Sequence, residues 1–104
     1  LKFKGFKVDL ILSGEKTASM RLFDDKDLKE GDELELINSD TKEVFAHAVI
    51  TEILTRKLRD ITEADLEGHE KWISQEEMMA THRSYYGDSV NDETVAKIIR
   101  FCLI

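Results

Sequence analysis

The segment Glu43–Leu54 constrains the fold more than any other part of this chain. Read as a strand, it puts Phe45, His47, Val49, Thr51 and Ile53 on one face. Val44, Ala46, Ala48, Ile50 and Leu54 fall on the other. Both faces are largely apolar, and His47 is expected to point inward. Such a strand is central in a covered sheet, or it bends across a small barrel. The stretch Thr94–Ile104 behaves alike, with Val95, Ile99, Phe101 and Leu103 against Ala96, Ile98, Cys102 and Ile104. Lys97 and Arg100 are expected near the ends of the sheet. An apolar strand of this kind must be paired. Shorter strands are predicted at Leu1–Phe3, Thr17–Leu22 and Glu33–Ile37, with a turn at Asn38-Ser39-Asp40. The implied class is α+β, a small β-barrel of about five or six mostly antiparallel strands with flanking helices.

Three helices are predicted. Phe6–Ser13 carries Phe6 and Leu10 four apart, and Gly14 stands where a C′ glycine ends a helix. In the second, Thr62 is the N-cap and Asp65 stands at N3, with Ile61 and Leu66 as a hydrophobic staple and Gly68 as the stop. In the third, Ser74 caps, Glu77 closes a capping box, and Ile73 with Met78 forms the staple. Met78, His82 and Tyr85 then make one buried stripe, which Gly87 ends.

With 104 residues, no prolines, no repeat and no linker, the chain is expected to form one domain over residues 1–104. Its first residue is Leu1, and the native start is expected upstream. No run is apolar and long enough to span a bilayer, so no membrane partner is expected. The one cysteine, Cys102, cannot form an internal disulfide; it reads as a buried packing residue, and the setting as a reducing cytoplasm. Three histidines and one cysteine, none at ligand spacing, predict no metal, and no cofactor motif is present.

Charge narrows the partners. The net charge of −7 opposes tight non-specific binding to nucleic acid. It is unevenly placed, however. Residues 1–21 carry five cations against two acids, whereas residues 60–93 carry ten acids against two cations. A local basic patch on an acidic chain suits one small anionic or polar ligand. The cluster Arg56-Lys57-Leu58-Arg59 reads as a solvated edge, with phosphate contact as the alternative.

The chemistry-bearing stretch is Gly14-Glu15-Lys16-Thr17-Ala18-Ser19-Met20-Arg21. Two cations and two hydroxyls close together can hold an anion or a polarised carbonyl. A serine with a lysine nearby can also be an activated nucleophile. A turn followed by a polar strand is the plainer account of the same residues. In a regular strand, residues 16 and 19 face opposite ways. The pair can act together only if Lys16 is still in the loop, which Gly14 permits, or if a bulge turns the chain.

At Gly14-x-Lys16-x-x-Ser19-x-Arg21 the chain resembles the ASCH domain family, whose signature is G-x-K-x-x-[TS]-x-R. The preceding Asp9-Leu10-Ile11-Leu12-Ser13, the following Leu28-x-x-Gly31-Asp32-x-Leu34-x-Leu36, the pair Tyr85-Tyr86 before Gly87, and Ile98-Ile99-x-Phe101 all agree. The resemblance implies a PUA-like barrel that handles RNA or modified bases. Small bacterial members include N4-acetylcytidine amidohydrolases, which use a lysine, a threonine and a glutamate. Lys16 falls on that lysine. Ser19 falls on the threonine, keeping the hydroxyl and losing the methyl. Glu70 is the best match to the glutamate, with Glu67 and Glu77 as competitors.

The resemblance thus implies Ser19 as nucleophile, Lys16 as base and Glu70 as proton donor to the leaving amine. Thr17, Arg21, Tyr85 and Tyr86 would bind substrate. A lysine serves as base only if its pKa falls from about 10.4. Burial and Arg21 would lower it, and the acidic chain would raise it. Trp72 reads as a core anchor or a stacking surface, His82 as a core histidine with a pocket role as the alternative, and His69, beside Glu70, as a solvated loop residue with a site role as the alternative. The partner is a small nucleoside or RNA. The alternatives are a non-catalytic RNA-binding module, a ribonuclease, or a purely structural protein.

Overall fold

A computed structural model describes residues 1–104. Its elements run β1 (Lys2–Phe3), α1 (Gly5–Leu12), β2 (Ala18–Leu22), β3 (Glu33–Asn38), β4 (Val44–Lys57), a 3-10 turn (Leu58–Asp60), α2 (Gln75–Tyr86) and β5 (Val95–Leu103). They form one five-stranded sheet in the order β1-β3-β4-β5-β2. Only β1 and β3 are parallel; the other pairs are antiparallel. The sheet curls into a half-barrel, so the expected α+β, PUA-like small barrel with flanking helices is present.

The two-faced strands occupy its middle. On β5, Ala96 and Ile98 belong to one buried cluster with Met78 and Met79 of α2. Ile99 and Phe101 belong to the other, with Ile11 of α1. Ile98 and Ile99 are both 0% exposed. Each such side chain contributes about 1.5–3 kcal/mol by leaving water. A bulge in β4 between Ile50 and Glu52 breaks the alternation, which lets Ile50 and Ile53 pack against one cluster.

The seam between the edge strands is held by a side chain rather than a ladder. Helix α1 begins at Gly5, leaving β1 two residues, and both pair with β3. The Arg21 Nη2 of β2 donates across the gap to the Lys2 carbonyl at 2.8 Å. Its guanidinium lies over the Phe3 ring, 5.0 Å from the centroid.

Several expectations are corrected. No helix follows Thr62. Its capping pair forms, with Thr62 N–H donating to Asp65 Oδ2 and Asp65 N–H to Thr62 Oγ1, at 3.0 and 3.2 Å. The chain nevertheless stays in turns: the Leu66, Glu67 and His69 N–H groups donate only three residues back, to Glu63, Ala64 and Leu66, and Arg100 Nη2 donates to the Ala64 and Asp65 carbonyls. Ser74 does cap α2, accepting from Glu77 N–H, but Ile73 is 93% exposed and makes no staple. In the predicted stripe Met78 and His82 are buried, whereas Tyr85 is exposed. Cys102 and His47 are exposed. Lys97 and Arg100 stand within β5, not at the sheet's ends. Lys97 donates to the Lys26 carbonyl, and Arg100 donates to Glu52 and the Ala64 carbonyl. Arg56, Lys57 and Arg59 are matched by Asp65, Asp60 and Glu93, so the cluster is already occupied.

Candidate active site

Lys16 lies in the loop, two residues before β2 begins. Its backbone N–H donates to Leu10 at the end of α1. The next residue, Thr17, donates to Gly68 and accepts from Phe101 N–H. These three anchors fix the Lys16 side chain inward, where it is 3% exposed. The Gly14 φ of +86° lets the chain turn from α1 into this loop. Ser19 and Arg21 follow on alternate positions of β2 and share one face.

The side chains meet in a cavity of about 460 Å³, a size suited to a small ligand. Lys16, Ser19, Arg21, Glu70, Tyr85 and Tyr86 all line it. Thr17 does not; it is exposed, and its contribution is the backbone anchor. Of the three candidate glutamates, Glu67 and Glu77 are exposed and off the wall. Glu70 accepts from Lys16 Nζ at 2.7 Å through Oε2.

The electrostatics follow from burial. Desolvation pulls the Lys16 pKa below the ordinary lysine value, with the Glu70 bond opposing. On Glu70, burial alone would raise the pKa, but the bond and charge of Lys16 outweigh it and hold the carboxyl at about 2. The two directions pull the pair's shared proton opposite ways. The ionised pair is the resting form, because Glu70 is 38% exposed and keeps water on its charge. Lys7 Nζ stands 3.9 Å from the other oxygen, Oε1.

Arg21 Nε donates to Ser19 Oγ at 2.7 Å. The hydroxyl oxygen thus sits against a cation while its proton stays free to leave.

The far wall is aromatic and was legible only in part. His69 and Trp72 stand 5.3 Å apart, Trp72 and His82 likewise, and His82 stacks on Tyr86 at 6.4 Å and 18°. His69 lies on this wall, the alternative placement beside Glu70 rather than a solvated loop. Burial, then the Lys16 charge, lowers its pKa to about 4. Its Nδ1 is 2.8 Å from the Glu70 carbonyl, which can only accept, so the neutral ring carries its proton there and leaves Nε2 as an acceptor. His82 makes the same bond to Met78, at 2.9 Å, and burial lowers its pKa as well. Trp72 combines both expected roles, packing on the core and lining the cavity, with Nε1 donating to Thr81 Oγ1. Among the cavity residues that sequence reasoning missed are Phe6, Lys2, Lys4 and Lys7; the lysines' only signal was the basic count near the start. No group of three or more His, Cys, Asp or Glu side chains is arranged to hold a metal ion.

No family model and no curated protein matches the chain by sequence. Solved structures do match by shape. An ASCH domain from Lactobacillus crispatus superposes with a TM-score of 0.74, covering 94% of this chain and 70% of that one. The fold is that of an ASCH domain. The sequence identity is 20%, so the likeness establishes fold and not activity. A second ASCH structure, from Zymomonas mobilis, gives a TM-score of 0.70 over 98% of this chain and 64% of that one, at 13% identity. A Pyrococcus furiosus protein matches end to end, covering 100% and 98% at 20% identity, with a TM-score of 0.62. No helix of this ASCH fold is long and apolar enough to cross a membrane.

Proposed function

We propose that the cavity takes the base of a modified pyrimidine nucleoside and hydrolyses an amide on it, converting N4-acetylcytidine to cytidine and acetic acid in the cytoplasm. The observation that carries this reading is the buried Lys16 held on Glu70 in the cavity that also holds Ser19. The aromatic wall of His69, Trp72, His82 and Tyr86 supports it, since a planar ring stacks there.

The steps balance on side chains alone. Substrate entering the cavity strips water from Glu70. That favours moving one proton across the 2.7 Å bond, giving a neutral amine and a carboxylic acid. Ser19 Oγ then attacks the acetyl carbon and its proton passes to Lys16. The negative charge moves to the acetyl oxygen of the tetrahedral intermediate, where the Arg21 guanidinium beside Ser19 stabilises it. The bond to N4 breaks, and N4 takes the Glu70 proton as cytidine departs. Water attacks the acetyl-serine, returning a proton to Glu70, while Ser19 Oγ recovers its own from Lys16.

The test is turnover of N4-acetylcytidine by purified protein in chelator, followed by chromatography. Cytidine release by wild type, lost in Ser19→Ala, Lys16→Ala and Glu70→Gln, is the expected result. No release by wild type, or full release by Ser19→Ala, overturns it.

A further inference from the structure

The cavity's charge is out of proportion to the reaction proposed for it. Five cations line it, Lys2, Lys4, Lys7, Lys16 and Arg21, against the single carboxylate of Glu70. The chain as a whole is at −7. Lys16 is satisfied by Glu70, and Arg21 by Ser19 and the Lys2 carbonyl. Lys2 and Lys4 have no carboxylate partner, and Lys7 has only the long contact to Glu70 at 3.9 Å.

The Lys4 and Lys7 ammoniums converge on one ring. They lie 4.7 and 5.8 Å from the Tyr85 centroid. Tyr85 is 48% exposed, on the rim of the cavity. Two like charges gathered at one exposed ring repel each other unless an anion joins them. A cation–π contact at an exposed ring is weaker than a charge-assisted hydrogen bond to phosphate, so an arriving anion displaces it. The first turn of α1 carries no acidic residue of its own, but its Gly5 N–H donates to Asp40 Oδ2 at 3.0 Å, so the helix end is taken and the anion falls to the two lysines.

We propose that the ligand carries a phosphate group, held at the rim by Lys4 and Lys7 beside Tyr85, so that the substrate is a nucleotide and not a bare nucleoside. This rests on the nucleoside reading above and extends it to the substrate class. The base goes to the aromatic wall and the Lys16–Glu70 pair. The phosphate stays outside, where the lysine stems are long enough to follow it. The phosphate belongs either to a free nucleotide or to an RNA strand.

Calorimetric titration separates the cases, with cytidine, cytidine monophosphate and a short cytidine-containing single-stranded RNA as ligands. Wild type is expected to bind the monophosphate roughly tenfold more tightly than cytidine. The ratio should fall toward one in Lys4→Ala and in Lys4→Ala/Lys7→Ala, and fall with added salt. If RNA matches or exceeds the monophosphate, the phosphate is a strand's; if only the monophosphate gains, it is a free nucleotide's. Either result supports the rim site. Equal affinity of wild type for cytidine and its monophosphate overturns the phosphate while leaving the nucleoside reading intact, as does a ratio unchanged in both variants. Absence of binding by all three ligands overturns both.

Discussion

The Lys16 ammonium lies 2.7 Å from Oε2 of Glu70, a residue 54 positions away in the chain. A buried lysine tolerates its charge only because that carboxylate meets it. Glu70→Gln keeps the shape and removes the charge. We expect it to destabilise the fold at neutral pH by about 1–2 kcal/mol, a figure discounted for the exposure of Glu70. Lys16→Met removes the buried charge as well and should cost less. Denaturant midpoints of the two variants decide this; a Glu70→Gln midpoint equal to wild type would show that the pair carries no stability.

Stability should fall in acid in two stages. Unfolded, His69 takes a proton near pH 6.5; folded, it refuses one until about 4. The unfolded state therefore binds more protons in that interval, and its contribution, complete above 6.5, shrinks as pH drops toward 4. The size is about 3 kcal/mol. Glu70 acts lower down. Its carboxyl titrates near 4.5 unfolded and at about 2 folded, so its contribution is present above 4.5 and is lost as pH falls through 2. Unfolding measured from pH 7 to 4 should slope in wild type and slope less in His69→Gln, where His82, whose pKa burial also lowers, still contributes. A flat wild-type profile would mean the ring is not held neutral.

What the sequence made legible was local. The apolar pattern of 43–54 located β4, and Gly14 permitted Lys16 to stay in the loop, which is where it lies. Other outcomes depended on contacts between distant residues. The Thr62 capping signals are real and their hydrogen bonds form, but the carbonyls of Ala64 and Asp65, which a helix would use, accept from Arg100 of distant β5. Alternation gave β5 two apolar faces without saying where cover stops, so Cys102 lies beyond the core. Glu70 could be ranked first by resemblance, yet no periodicity joins residues 16 and 70. The aromatic wall joins the 69–72 turn to α2 and has no single-segment signature.

Gly68 should therefore be as sensitive as the site itself. A Cβ there would stand 2.0 Å from Thr17 Oγ1, at a φ of +78° that side chains rarely adopt. Gly31 has a similar φ, +89°, and open space around it. Both alanine variants meet backbone strain of about 1–3 kcal/mol, but only Gly68→Ala adds the collision. We expect Gly68→Ala to unfold at clearly lower denaturant than Gly31→Ala and to lose turnover, because Thr17 anchors Lys16. Equal midpoints would remove the Thr17 anchor from the account.

Arg21 joins Ser19 to the seam of the sheet, so its two duties can be separated. Arg21→Lys keeps the charge, but an ammonium has no planar fork to reach both Ser19 Oγ and the Lys2 carbonyl. Loss of one hydrogen bond at the seam costs about 1 kcal/mol of stability. Loss of the guanidinium donor to the developing oxyanion should lower kcat on N4-acetylcytidine by roughly 10²-fold or more. A variant that is less stable but turns over normally would confine Arg21 to the seam.

Trp72 is the only tryptophan and stands on the cavity wall, so the protein reports its own occupancy. The indole is the middle ring of the row from His69 to His82, so a base stacked on that wall lies against it. Titration with cytidine monophosphate should therefore change the intrinsic fluorescence, saturating at the affinity found by calorimetry. Trp72→Phe should abolish the signal and weaken binding severalfold, since base–aromatic stacking is worth about 1–3 kcal/mol and phenylalanine retains part of it. Calorimetric binding with unchanged fluorescence would place the base elsewhere in the cavity, away from the aromatic wall.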